Sequence, residues 1–141
     1  MFEQANYIIE NRLADNWVRT LVDYDNVEFN PVRGVSFVRL QVEWVDAVVT
    51  SLGGRTKGEG YIDLSIFVPS NEGTTNAFQM ADELAILFNR FMEGAIKFNV
   101  ARTRRVGQQQ EWFQVKVLVP FVYDQCYMPQ LGYGGFCGYG N

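Results

Sequence analysis

Apolar and polar positions change period several times along this chain, and each change marks an element. From Phe2 to about Trp17 the period is helical. Phe2, Ile9, Leu13 and Trp17 fall on or near one stripe, Ile8 widens it, and Glu10, Asn11, Arg12 and Asp15 take the other face. Thr20 to Gly34 has no period and is rich in turn formers (Asp23, Asp25, Asn26, Asn30, Pro31, Gly34), which predicts a long loop. A loop of that length in a small domain is usually functional or held by a partner. Val38, Leu40, Val42 and Trp44 alternate with Arg39, Gln41 and Glu43, the pattern of a half-buried strand. The phase then flips to Val45, Ala47 and Val49. Either a bulge near Trp44–Val45 resets the register or the second half leaves the sheet.

A glycine-rich connector, Leu52 to Gly60, leads into Tyr61–Val68, where Ile62, Leu64, Ile66 and Val68 alternate with Asp63 and Ser65. Together these segments predict a long hairpin, ended by Pro69, which cannot donate to a ladder. Thr74, Thr75 and Asn76 are N-cap candidates for a helix carrying Ala77, Met80, Ala81, Leu84, Leu87, Phe88 and Phe91 on one face, with Gly94 as its C′ residue. Ile96, Phe98 and Val100 form a short third strand, and Phe113, Val115, Val117, Val119 and Phe121 a fourth. Between them, Arg102 to Glu111 is too polar for a core and reads as an exposed hairpin arm or loop. The expected fold is α+β, in the order α-β-β-α-β-β. Two helices pack on an antiparallel-rich sheet of about four strands, with long hairpin loops.

One domain, residues 1–125, suits the length of 141 residues. Residues 126–141 form an uncharged Gly/Tyr-rich extension that includes Tyr127, Tyr133, Phe136 and Tyr139. Such a segment is too Gly-rich to fold alone and too aromatic for an ordinary linker. The apolar share of 48% and charged share of 20% exclude disorder of the whole chain. With 12 Lys+Arg against 16 Asp+Glu, the net charge of -4 argues against a free-standing nucleic-acid binder. The absence of His removes the commonest general base and metal ligand. Cys126 and Cys137 leave open either two thiols or one bridge. The start of the chain lacks a basic n-region and an apolar h-region, so no secretory leader is expected. No apolar run approaches ~18 residues, so no membrane span is expected.

Each chemical motif meets a counterargument. Gly53-Gly54-x-x-x-Gly58-x-Gly60 lacks the GK[ST] ending of a phosphate loop and precedes a strand rather than a helix. Asp23, Asp25, Asn26 and Glu28 are clustered oxygen donors, but a calcium loop beginning at Asp23 would need Gly where Glu28 stands and Glu where Gly34 stands. Asp82 and Glu83 are adjacent on a helix and do not converge. No nucleophile–base pair is visible. The reading is a protein that is not an enzyme, with no cofactor and no metal. The remaining features are interface-like. Arg102, Arg104 and Arg105 are the only dense basic cluster, with Arg55 and Lys57 on the other hairpin tip, and the choice lies between a solvated loop and docking to a partner. Trp17, Trp44 and Trp112 either cover an open sheet face or mark an interface.

Taken in order, several segments resemble the tail terminator-like (tail completion) proteins of long-tailed bacteriophages. They are Arg12-Leu13 with Trp17, Tyr24-Asp25-Asn26-Val27-x-Phe29, Val38-Arg39-Leu40, Leu52-Gly53-Gly54, Phe67-Val68-Pro69, Ala81-Asp82-x-Leu84-Ala85-x-x-Phe88 and Val119-Pro120-Phe121. The similarity spans roughly Asn11 to Asp124 and leaves the Gly/Tyr-rich end outside it. The resemblance implies a structural virion protein without catalytic residues. It implies a ring, usually of six copies, on the head-proximal end of the tail tube, which halts tube polymerisation and offers the head-joining surface. Its partners would be copies of itself, the major tail tube protein and a head-side connector or stopper protein. It would sit at the tail-neck region of the virion after assembly in the host cytoplasm. Genomic DNA would cross the bore without specific binding, and six copies at -4 each would sum to about -24 and repel it. On this reading Arg55, Lys57, Arg102, Arg104, Arg105, Tyr24, Asp25, Asn26, Tyr127, Tyr133, Phe136 and Tyr139 are candidate contacts with subunits or partners. Another neck or head-tail adaptor is the alternative, and a small ligand-binding module the third.

Overall fold

The computed structural model describes residues 2–49, 55–70 and 73–126. Its elements are α1 (Phe2–Asn16), β1 (Leu21–Asp23), β2 (Phe37–Val49), β3 (Arg55–Pro69), α2 (Thr75–Phe88), β4 (Met92–Glu93), β5 (Ile96–Phe98), β6 (Arg102–Gln109) and β7 (Trp112–Cys126). The strands form one curled, half-barrel sheet in the order β1-β2-β3-β7-β5-β4, with β6 also paired to β7. Among the described residues only the β1–β2 pairing is parallel.

This corrects the expectation of two helices on about four strands. The two helices are present, but the sheet has seven strands among the described residues. The extra strands carry no two-residue period for a physical reason. β1 and β4 are three and two residues long, too short to show alternation. In β6 the residues Arg102 to Arg105 are exposed and Gly107 is buried, so its backbone pairing rather than side-chain burial makes it a strand. The polar arm is therefore one leg of the β6–β7 hairpin, turned at Gln110 with φ 55°. β7 is long enough to hold β5 against its end and β6 against its beginning. Pro120 faces the break between them. Its carbonyl accepts from Asn99 N–H at 2.8 Å, and its missing N–H falls where no strand donor is needed.

One face of the sheet carries the core. Val38 and Leu40 of β2, Ile62, Leu64, Ile66 and Val68 of β3, and the odd residues Phe113 to Tyr123 of β7 pack beneath both helices. From α1 come Ala5, Ile8, Ile9, Leu13 and then Trp17; from α2 come Ala77, Met80, Ala81, Leu84 and Phe88. Of the two readings of the phase flip, the bulge is the one present. Trp44 pairs with Gly60 and Asp46 with Glu59, leaving Val45 unpaired and 68% exposed. Beyond it β2 stays in the sheet, with Ala47 opposite Gly58 and Val49 opposite Thr56. Gly60 is needed here, because a β-carbon would lie 2.3 Å from the Glu43 carbonyl oxygen and 3.0 Å from the Phe121 ring.

Two local expectations need revision. Gly94 does not close α2. The helix ends at Phe88, Asn89 N–H donates to Ala85 O at 2.7 Å, and Arg90 takes the left-handed region with φ 58°. Gly94, at φ 59°, makes the β4–β5 turn instead. Phe91 keeps the helical spacing but stacks on Phe98 at 6.0 Å, with the Arg12 guanidinium 3.8 Å above its ring. Thr74 is the N-cap residue, without a side-chain cap. The tryptophans pack within the fold. Trp17 is buried and donates to Thr20 Oγ1 at 2.9 Å, Trp44 meets Phe121 edge-on at 5.1 Å, and Trp112 meets Phe37 at 5.2 Å.

Candidate interaction surface

The sheet face away from the helices is polar in the middle and aromatic at one end. At that end Phe37 stacks on Phe67 at 4.7 Å, Trp112 meets Phe37 edge-on, and Phe29 reaches back from the loop after β1 to within 5.1 Å of Phe37. Phe29, with Arg33 whose Nε lies 3.8 Å from Glu111 Oε2, thus closes this end without belonging to the helix-side core.

In the middle, strand register lines up a row across β1, β2, β3, β7 and β6. Asp23 of β1 is opposite Arg39 of β2, Arg39 opposite Ser65 of β3, Ser65 opposite Lys116 of β7, and Lys116 opposite Arg104 of β6. The next row holds Gln41, Asp63, Leu118 and Arg102. Internal ion pairs satisfy part of this set. Arg39 Nε donates to Asp23 Oδ2 at 2.8 Å. Lys116 Nζ donates to Asp63 Oδ2 at 3.1 Å, and Ser65 Oγ donates to Asp63 Oδ1 at 3.1 Å. Asp63 is 8% exposed, so this pair sits where a lone charge would be costly. Arg102 and Arg104 are exposed and find no carboxylate within ion-pair distance among the described residues. With Lys116, Tyr61, Leu118 and Pro120 they line an open hollow of about 490 Å³.

The basic run read from the sequence is split by the pleat. Arg102 and Arg104 lie on the polar face, whereas Arg105, opposite Val115, is on the helix side, its guanidinium 5.4 Å from the Phe113 ring centroid. At the far edge, Tyr24 is half-buried against the core, and Asp25 and Asn26 form an exposed turn with Asn26 at φ 60°. Burial, then Glu10 and Asp15, push the Tyr24 hydroxyl above its ordinary value. Lys57 is half-buried between Val48 and Asp124 in the register. Arg55 heads β3 opposite Cys126, and nothing is described of its side chain. Tyr127, Tyr133, Phe136 and Tyr139 lie outside the described residues, as do Gly53 and Gly54.

Sequence reasoning missed four contributors to this surface. Lys116 and Asp63 were hidden as the polar half of ordinary strand alternation. Val18 (91% exposed), just ahead of β1, and Leu21 (53%), its first residue, line a hollow of about 540 Å³ with Val35 and Met80. Their only sequence signal is apolar character off the helical stripe. Among the described residues no three of His, Cys, Asp and Glu gather as a metal site.

No curated protein matches the sequence. One solved structure of 19% identity superposes with a TM-score of 0.69, covering 90% of this chain and 97% of that one, which is a likeness of fold alone. A family model described as "Phage tail terminator protein" matches residues 6–121. The chain therefore belongs to the phage tail terminator proteins, structural components of the bacteriophage tail that contact other tail or head-tail proteins.

Proposed function

We propose that this chain caps the head-proximal end of the tail tube as a closed ring, most simply of six copies. The ring halts tube polymerisation and offers the surface that joins the head. The observation that carries this reading, beside family membership, is one sheet with two unlike open sides. Among the described residues no strand covers the outer side of β1, and none covers that of β6 or β4. A ring needs two different surfaces on each subunit, because head-to-tail contacts are heterologous. On this reading Arg102, Arg104, Tyr24, Asp25 and Asn26 serve contacts between subunits, and Arg55, Lys57 and residues 126–141 face the tube or the head connector. The acidic total suits a bore through which DNA slides without being held.

Immunogold labelling of separated tails and heads tests the placement. Label at the head-proximal end of free tails is the expected result. Label on free heads and none on tails would replace this reading with a head-side adaptor. A purified mass near six times 16.2 kDa supports the stoichiometry.

A further inference from the structure

We propose that neighbouring copies join by charge, with Arg102 and Arg104 at the β6 edge of one copy receiving Asp25 and Glu28 from the turn after β1 of the next. The inference rests on the ring reading and names the surfaces that close it. Its basis is the polar row from Asp23 to Arg104. That row begins with an acid at one edge and ends with a base at the other. Pairs within the copy consume its acid end and its middle: Asp23 holds Arg39, and Asp63 of the next row holds Lys116. Charges remain beyond these pairs, on Arg104 at the β6 end with Arg102 of the next row, and on Asp25 and Glu28 just past Asp23. Arg102 and Arg104 lack carboxylate partners, and Asp25 and Glu28 lack cationic ones, among the described residues. All four are exposed.

These unspent charges cannot neutralise one another inside one molecule. β2, β3 and β7 stand between the β1 and β6 edges, a separation on the order of 15–20 Å at the usual strand spacing. A second copy placed head to tail brings them together and repeats the row. Arginines along an open strand also deter promiscuous edge pairing, so an acidic edge is the partner such a strand accepts. Val18, just ahead of β1, and Leu21, its first residue, are exposed and give the same contact apolar area.

A charge-swap pair tests this. One variant carries Arg102→Glu and Arg104→Glu, so both edges are acidic. The other carries Asp25→Arg and Glu28→Arg, so both are basic. Like charges then face each other at every homotypic contact, and each variant alone should dissociate about 100-fold more readily than the unaltered chain. Mixed one to one, the two should reassemble into a ring of alternating copies, which an even-numbered ring permits. Light scattering reads this in solution, and co-expression in a host infected with phage lacking the gene reads it on the particle. Thermal melting checks that each variant folds. Oligomers or plaques from either variant alone at unaltered levels would overturn the pairing while leaving the ring reading intact. Loss in both without rescue on mixing would also overturn it. If that loss comes with reduced retention of a short DNA duplex by the Arg102→Glu/Arg104→Glu variant, the arginines serve phosphate instead. A mixture that reassembles although labelling finds no chain at the tail end would retain the pairing and remove the placement.

Discussion

Replacing Gly60 by alanine probes the long hairpin where no side chain fits. A β-carbon there would stand 2.3 Å from the Glu43 carbonyl oxygen, 3.0 Å from the Phe121 ring and 3.2 Å from the Trp44 α-carbon. The first and third of these neighbours are backbone of β2, held one residue from the bulge by pairing on both sides of it. Relief therefore requires moving a strand, not rotating a side chain. Overpacking of a close-packed site costs typically 1–3 kcal/mol and occasionally more, and a backbone obstacle places this one near the upper end, at about 3 kcal/mol. With an unfolding entropy of about 0.3 kcal/mol/K for a chain of this size, Tm should fall by about 10 °C. Far-UV circular dichroism on heating measures that fall, and urea titration followed by tryptophan fluorescence gives the free energy. A double-mutant cycle with Phe121→Leu identifies the obstacle. If the Glu43 oxygen is the wall, the two changes should add to within about 0.5 kcal/mol. A Tm within about 2 °C of the unaltered protein would refute the reasoning. Strong rescue by Phe121→Leu would show that the ring, not the backbone, was the obstruction.

Other predictions follow from the same contacts. Leu64→Ala, at a site with no exposure beneath both helices, should cost about 2–5 kcal/mol in the same urea assay, and a loss under 1 kcal/mol would place Leu64 outside the core. Lys116→Met should cost more than Glu83→Gln, because it strands the buried Asp63 carboxylate, whereas the Arg19–Glu83 pair is largely exposed and worth less than about 1 kcal/mol; equal losses would refute the difference. Arg90→Gly should stabilise by about 0.5–1 kcal/mol by relieving a left-handed backbone with a β-carbon, and destabilisation would mean that the Arg90 side chain contributes packing. The raised Tyr24 hydroxyl means that the folded state holds this proton more tightly than the unfolded chain. Its contribution is whole below pH 10.0 and is lost as pH rises through the higher folded value, so Tyr24→Phe should flatten the alkaline loss of stability; an unchanged slope would refute it.

Side-chain period was enough to read both helices, the β2–β3 hairpin and the burial of β7, because each of these elements turns one apolar face to a core; it left the bulge as one of two readings. Val45 shows how far that signal reaches: a single break in alternation marked the residue that the ladder leaves unpaired. The ordered family segments within residues 6–121 were also legible, since they recur at fixed places in the chain. What period does not encode is backbone pairing. β6 looked like a polar arm because an edge strand satisfies its N–H and C=O groups against a neighbour without burying alternate side chains. The interaction surface was legible only as residue types. The three arginines are contiguous in sequence but are sent to two faces by the pleat, so Arg105 caps Phe113 while Arg102 and Arg104 join Lys116. Asp23 and Arg104 are 81 positions apart, and only the tertiary register makes them the two ends of one row. The sequence by itself determined which faces must be buried, because burial follows composition along each element. The tertiary structure alone decided which charges are spent inside the molecule and which are left at its edges, because that depends on which strands become neighbours.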